Sequence, residues 1–581
     1  MQPLPDPLEP FRAEAEGALR AGLATLGAGE VEPRLVRAPE GKGDFAFACH
    51  PLAAKLRKAP PALAQELAAA LPRSDLVAPR VEGPYVNFTM ADARLATEVL
   101  RSVLARGEQY GSLPSTGQRV IVEHTSANPT GPFHVGRARN PIIGDSLARV
   151  LRAAGHEVAT EYYVNDMGKQ VVTLTWGARN LGPQQVQAPA RPDKPDHVLV
   201  SRYQKASELL ERDPNVGKEI GELLQRYEGG DRQVAQAVRE TVEYMLRGLQ
   251  QSLDRMRVRV DRFSWESRYV YSGDVDKVMQ RLKQSPRIRE EQGAFYLDLE
   301  GLGVAGKSQK FFLTRSDGTT LYPVRDVAYH LDKFGRSDRA IDVLGEDHKL
   351  EAKQLTIALQ ELGEARTPEV VFYAFVKLPE GRMSTRKGTV VYIDDLLDEA
   401  EERALAEVQK RRPELDEERK RAIARLVGMG AVRFNIAAVQ AEKGITFQWE
   451  EALDFEGSSA PFVQYSHARA ASILRKAAEE GHVGGEADTA AKLTDPNELA
   501  LLRVLGRLPS LVKQCAAESK VHPVAGYAVE LANAFNQFYR DSPVLLAEPE
   551  VRAARLALVV GAKHGLRNSL DLLGVEAPEG M

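Results

Sequence analysis

From residue 119 onward the spacing of apolar residues changes twice within one short stretch. Val120-Ile121-Val122 is an unbroken β-branched run, the pattern of a strand buried in a parallel sheet. Pro129, Gly131 and Pro132 then break regular structure, and from Arg137 to Ala154 apolar residues return at helical spacing (Ile143, Leu147, Val150, Leu151). The alternation resumes further on. Glu161 to Asp166 predicts a second strand, and the core continues through Phe311-Phe312-Leu313, the helical stretch Tyr322 to Phe334, and a strand over Ala340 to Leu344. That strand runs into Gly345-Glu346-Asp347-His348, and Val370 to Phe375 predicts the last strand. Strands separated by helices predict an α/β fold whose functional loops sit at the carboxyl ends of the strands.

The flanking thirds read differently. Residues 8 to 26 have helical spacing, strands are predicted at Phe45 to Ala48 and Tyr85 to Phe88, and one helix between them over Leu52 to Leu71. This predicts a small N-terminal α/β domain (1–112) ending near a linker at Gly111 to Gly117. From about 170 to 257 the chain is polar and mostly helical, an insertion within the central domain (113–395). Beyond Ile393 the pattern is helical almost throughout, predicting an all-α bundle over 396–581. Phe462, Tyr465, Phe535, Phe538 and Tyr539 lie there at helical spacings, as core residues or, for one or two, as platforms for stacked bases.

Composition narrows the class. The 581 residues are 43% hydrophobic, enough for several ordinary cores. Lys+Arg 77 against Asp+Glu 81 gives a net charge of −4, so a nucleic-acid surface has to be a local basic patch. The two cysteines, Cys49 and Cys515, exclude a disulfide framework or a cysteine-rich zinc site and suit a reducing cytoplasm. No apolar run spans a bilayer, and the start lacks the basic segment and apolar core of a secretory signal. A cytoplasmic enzyme with no membrane contact is expected.

The chemistry concentrates where the first strand meets its helix. Unpaired N–H groups and the helix dipole attract an anion at such a turn, where His134 and Arg137 stand, and Gly136 permits close approach of a flat ligand. His134-Val135-Gly136-Arg137 resembles the HIGH signature of class I aminoacyl-tRNA synthetases, and Arg382-Met383-Ser384-Thr385-Arg386-Lys387-Gly388 resembles their KMSKS loop. Ser126-Ala127-Asn128-Pro129, Tyr322 to Tyr329 and Phe462 to Arg469 are similar to the arginyl branch of that family, and the likeness runs nearly end to end.

The resemblance implies a Rossmann-like class I catalytic domain, an N-terminal domain reaching the outer corner of tRNA, and an anticodon-binding bundle. It implies ATP with Mg2+, L-arginine and tRNA(Arg) as ligands, no tightly bound metal, and a monomer. The amino-acid carboxylate would attack the α-phosphorus of ATP with magnesium pyrophosphate leaving, and a hydroxyl of the terminal adenosine would then take the aminoacyl group. His134, Arg137, Arg386 and Lys387 would stabilise charge on the phosphates, since donors must be fixed where that charge develops. Gly136, Gly345, Asp347, Met383 and Ser384 would complete the ATP site. Glu123, Ser126, Asn128, Tyr322, Asp326 and His348 would line the arginine pocket, with Asp326 gripping the guanidinium through a planar charge pair. Taken alone, Asp326 reads as a helix-surface partner of Arg325 or Lys333; Tyr322 one turn earlier favours the pocket. By the same likeness Tyr85 and Asn87 would read a D-loop base, with packing the alternative for Tyr85, and Tyr465 and Phe538 would meet the anticodon.

Two departures stand out. Arg137 replaces the second His of the signature, and Thr385 replaces the second Lys of KMSKS. Relatives lacking that Lys can carry one just before the HIGH box, but here the chain reads Thr130-Gly131-Pro132. Lys387, helped by Arg386, is therefore expected to supply the phosphate contact, and Arg137 to fork onto phosphate oxygens. Other classes remain: a short nucleotidyltransferase, which leaves the helical third without a role, or a non-catalytic tRNA-binding paralogue, which predicts loss of the loop cations that Arg382, Arg386 and Lys387 retain.

Overall fold

The computed structural model describes residues 5–39, 41–304, 306–378 and 391–581. The N-terminal unit is a four-stranded antiparallel sheet of β1 (Val36–Arg37), β2 (Phe45–Ala48), β3 (Val77–Glu82) and β4 (Tyr85–Met90), ordered β1-β2-β4-β3. Phe45, Phe47, Val86 and Phe88 bury one face beneath helices Glu9–Thr25 and Pro60–Ala70. The single helix expected over Leu52 to Leu71 is two, His50–Leu56 and Pro60–Ala70. Arg57 turns left-handed (φ 53°) and ends the first, and Pro60-Pro61 can only start the second.

The centre is a five-stranded parallel sheet. Its strands are β5 (Arg119–Glu123), β6 (Glu157–Val164), β7 (Arg262–Trp265), β11 (Arg339–Gly345) and β12 (Glu369–Tyr373), in spatial order β12-β11-β5-β6-β7. The chain builds outward from β5 to β7, then crosses back to place β11 on β5's other side. The reversal leaves a crevice at the carboxyl ends of β5 and β11, where open α/β sheets bind ligands. Strand β7 was not expected from the sequence. Phe311, read as part of this core, instead lies in a separate antiparallel sheet of β8 (Ile288–Glu291), β9 (Ala294–Asp298) and β10 (Lys310–Phe312), because its pairing partner is Leu297. Between β6 and β7 stand the helices Lys169–Asn180, Pro195–Arg212, Pro214–Glu228 and Arg232–Arg255.

Beyond a short parallel pair, β13 (Val376–Lys377) with β14 (Ile445–Thr446), the regular structure of the remaining described residues is helical. The long helices Ile393–Arg411, Glu417–Ala437, Ala460–Glu479, His522–Asp541 and Pro549–Leu572 share a core that includes Val463, Leu531, Phe535, Phe538 and Leu566. This bundle closes on the N-terminal third, where Tyr110 Oη donates to the Leu505 carbonyl (2.8 Å) and Asn568 Nδ2 donates to the Gly107 and Tyr110 carbonyls. No helix among the described residues is long and apolar enough to cross a membrane.

Candidate active site

Three acids form a row across the sheet. Asp342 on β11 is in register with Glu123 on β5, and Glu123 with Glu161 on β6. Register partners in parallel strands point to the same face, and all three side chains are buried. Buried carboxylates keep their charge only beside cations. Helix Tyr322–Arg336 supplies these from one side, through His330, Lys333 and Arg336 at intervals of three residues. Lys333 Nζ donates to Glu123 (2.7 Å) and Asp342 (2.6 Å), His330 Nε2 meets the other Asp342 oxygen (2.8 Å), and Arg336 pairs with Glu161. Burial alone would raise the Asp342 carboxyl, but Lys333 and His330 outweigh it and hold it far below the usual range. Burial and Lys333 both disfavour a charged His330; Asp342 and Asp326 prevail and hold its imidazolium up to about 10.

Asp326 and Tyr322 lie one and two turns nearer the start of the same helix, toward solvent. Tyr322 is 57% exposed, and the Asp326 side chain is 39% exposed. Neither surface partner considered for Asp326 is available. Arg325 pairs with Glu266 (3.3 Å) and Lys333 is committed to the acid row, while Asp326 Oδ1 lies 3.0 Å from His330 Nδ1.

The turn after β5 is strained. Thr125 (φ 74°) and Ser126 (φ 32°) both take left-handed backbone that a β-branched residue seldom adopts, at a cost of about 1–2 kcal/mol for Thr125. Side chains hold the turn. Asn140 Oδ1 accepts from Thr125 N (2.6 Å) while Asn140 Nδ2 donates to the Val343 carbonyl, which ties β5's loop to β11. Ser126 Oγ donates to Glu123 (2.9 Å) and accepts from Tyr163 N (3.0 Å). Both Glu123 oxygens therefore have donors within the protein, from Ser126 and Lys333. Asn128 is exposed and meets Gln170 (3.3 Å) and Asn165 (3.4 Å).

The expected phosphate corner forms one turn later. His134 Nδ1 accepts from Gly136 N (3.0 Å), which puts the neutral ring's proton on Nε2. Burial and the Arg137 guanidinium both lower its tendency to protonate. A Cβ at Gly136 would come within 2.9 Å of that Nδ1, so a side chain there would displace the imidazole. Arg137 lies 3.6 Å from Asp347 and over the Phe375 ring (5.8 Å), joining the ends of β5, β11 and β12. Asp347 folds back over Gly345, where a Cβ would meet its Oδ1 at 2.3 Å, and His348 stands beside it at 3.8 Å.

Met383, Ser384, Thr385, Arg386 and Lys387 lie outside the described residues. The segments on either side of them are described, and both meet the corner. Leading in, β13 follows Phe375 directly. Leading out, Val391 O accepts from Val135 N (3.0 Å), Tyr392 bridges His134, and Ile393 N donates to Phe133 O (2.8 Å).

Several residues here went unread in the sequence. Arg139 is fully buried, and its guanidinium donates to four backbone carbonyls: Ala374 (3.1 Å), Lys443 (2.5 Å), Val439 (3.0 Å) and Gln440 (2.9 Å). It thus anchors the helix start to β12 and to the turn leading into β14. Asn140, Phe375 and His330 were also missed, and Lys333 was considered only as a surface partner of Asp326. For His330 and Lys333 the sequence did carry a signal: acids inside apolar strands call for buried bases, and the helix repeats polar residues at 322, 326, 330 and 333.

The nucleic-acid candidates divide by exposure. Tyr85 is 40% exposed against His50, but Asn87 is buried, so β4 presents Tyr85 to solvent there and not its neighbour. Tyr465 is exposed. Phe538 is wholly buried, which corrects its assignment as a stacking residue; its phase on the helix faces the bundle core. The adjacent Tyr539 faces out, and Arg469 lies between it (5.1 Å) and the Tyr465 ring (4.8 Å). Two buried acid–His clusters have metal-like spacing among the described residues, Glu123-His330-Asp342 and Asp196-His197-Asp394. Each is already bridged by a lysine ammonium, Lys333 or Lys194.

Comparison with known proteins gives matches along the whole chain. Residues 99–449 match the model of the class I (R) tRNA synthetase catalytic domain, residues 13–90 the arginyl tRNA synthetase N terminal domain, and residues 463–581 the DALR anticodon binding domain. The arginine–tRNA ligase of Methanocella arvoryzae is 50% identical over 91% of this chain and 92% of its own. That of Methanothermobacter thermautotrophicus is 43% identical over 98% and 99%. The arginyl-tRNA synthetase structure from Thermus thermophilus superposes with a TM-score of 0.82 at 31% identity, covering 98% of this chain and all of that one.

Proposed function

The chain belongs to the class I arginyl-tRNA synthetases, and from that premise we propose how its own residues divide the work. The reaction is ATP-dependent activation of L-arginine to its adenylate, followed by transfer to the terminal adenosine of tRNA(Arg). The observation that carries the division is convergence: the His134–Arg137 corner, the carboxyl end of β11 and both stems flanking residues 379–390 meet at one crevice.

In the first step the arginine carboxylate attacks the α-phosphorus and pyrophosphate leaves with its magnesium, which enters as part of the nucleotide substrate. The His134 Nε2 proton and the Arg137 guanidinium donate to phosphate oxygens, with Arg386 and Lys387 closing the other side. Gly136, Gly345 and Asp347 line the nucleoside end, joined by Met383 and Ser384. Asp326 and Tyr322 take the guanidinium, and Ser126, Asn128 and His348 border the rest of the amino acid. Glu123 contributes from beneath by holding Ser126 and Lys333, a role its two occupied oxygens support. In the second step the 2′-OH of the terminal adenosine attacks the adenylate carbonyl and AMP leaves.

For tRNA, exposed Tyr85 stacks on a D-loop base, and the Tyr465–Arg469–Tyr539 surface stacks on anticodon bases. The functional division follows the same lines, with tRNA-corner binding in 1–112, catalysis in 113–395 and anticodon binding in 396–581. A cytoplasmic monomer completes the reading.

The test is arginine-dependent ATP–pyrophosphate exchange, run with tRNA present, for Arg137→Ala and Lys387→Ala. Each is expected to lose activity on the order of 10²-fold, the scale for removing one fixed donor to developing charge. Unchanged exchange in Lys387→Ala would remove that lysine from the phosphate site.

A further inference from the structure

We propose that His330 is a positioning residue that sets specificity for the arginine side chain, acting through Asp326. This deepens the reading of Asp326 as the guanidinium ligand and rests on it. The imidazole cannot swing. It is 2% exposed, its Nε2 is held by Asp342 Oδ2 at 2.8 Å, and the other Asp342 oxygen is held by Lys333 at 2.6 Å. Its Nδ1 meets both the Asp326 carbonyl (2.9 Å) and Asp326 Oδ1 (3.0 Å). The Tyr329 and Phe334 rings close its remaining sides, at 5.5 and 6.4 Å. An aspartate on an open helix face would sample several rotamers, and ordering it on binding would cost affinity. Here one oxygen is ion-paired at 3.0 Å with a ring that is itself fixed, and the other is left for ligand.

The charges reinforce the geometry. Glu123, Asp342 and Asp326 face Lys333 and His330, three acids against two cations. One negative charge is left over, and of these five side chains Asp326 is the most open to solvent. The row therefore delivers a single, oriented negative charge to the mouth of the crevice. A planar monocation satisfies it. A neutral ureido isostere such as citrulline leaves it unpaired.

The experiment is a double-mutant cycle of Asp326→Asn and His330→Gln, read by steady-state aminoacylation with arginine, ATP and tRNA varied in turn. His330→Asn runs in parallel as a shorter amide, and circular dichroism checks that each variant is folded. His330→Gln is expected to raise KM for arginine about tenfold while KM for ATP and for tRNA stay within about twofold, and the double variant should be no worse than Asp326→Asn alone. Discrimination against citrulline should fall in both single variants. If Asp326→Asn leaves the arginine KM unchanged, the reading of Asp326 fails and the inference goes with it. If Asp326→Asn raises that KM but both His330 variants leave it alone, add fully to it, or raise all three KM values together, the inference alone is overturned.

Discussion

Replacing Lys333 by methionine isolates the energetics of the acid row. Methionine fills nearly the same space and removes only the ammonium, leaving Glu123 with the Ser126 hydroxyl and Asp342 with His330. Breaking a buried ion pair from one side costs about 3–5 kcal/mol, because the stranded charge stays desolvated. Two carboxylates are affected here, each keeping one donor, so about 4 kcal/mol is expected at neutral pH. For a unit of this size each kcal/mol moves Tm by roughly 2–4 °C, giving a drop of about 8–16 °C. The pH dependence separates this cause from a packing defect. In the parent, Asp342 titrates below its unfolded value, so its contribution is complete above about pH 4 and lost as pH falls further. In the variant, Glu123, already raised by burial, loses the cation that restrained it and rises further. An acid whose folded pKa is raised destabilises above that pKa, and the penalty fades as pH falls toward its unfolded value of about 4.3. The Tm gap between parent and variant should therefore narrow from pH 7.5 to pH 5 in calorimetric scans of both. A gap below about 3 °C, or one that stays constant with pH, refutes the account.

Arg139→Met leaves four carbonyls without their donor, at a cost of roughly 3–5 kcal/mol, and frees the HIGH-box helix from β12. Thermal melts should fall accordingly, and KM for ATP should rise more than KM for arginine in aminoacylation assays; an equal change in both means the anchor is not specific to the nucleotide corner. Adjacent aromatics on one helix should behave oppositely. Phe538→Ala is expected to cost about 3–5 kcal/mol of stability with tRNA affinity kept once folded, whereas Tyr539→Ala should leave Tm within about 1 °C and weaken tRNA binding several-fold in filter-binding titrations.

Much of this was local and therefore legible in the chain. The β-branched run at 120–122, the proline and glycine break, and the helical spacing after Arg137 placed the strand, loop and helix that carry the corner. Proline pairs were legible too, and Pro60-Pro61 should have split the second helix. The spacing of Tyr322 and Asp326 fixed their common face, because helical geometry needs no information from outside the helix. What the chain by itself determined is this set of elements, their order, and the residue types delivered to each loop.

Partners were another matter. That Asp342, Glu123 and Glu161 stand side by side depends on the register of β11, β5 and β6, strands separated by long insertions, and no local pattern fixes it. Only that register creates the need for the bases at 330, 333 and 336. The phase of a helix against its bundle likewise decided that Phe538 is core and Tyr539 surface, since both are aromatic and only the packed neighbours distinguish them. Arg139 reads as one more basic residue near a phosphate loop; tertiary structure turned it inward, where four carbonyls from distant segments replace the water it gave up. Short-range sterics and periodicity wrote the elements into the sequence, while burial, which requires the whole chain to close, assigned each charge its partner.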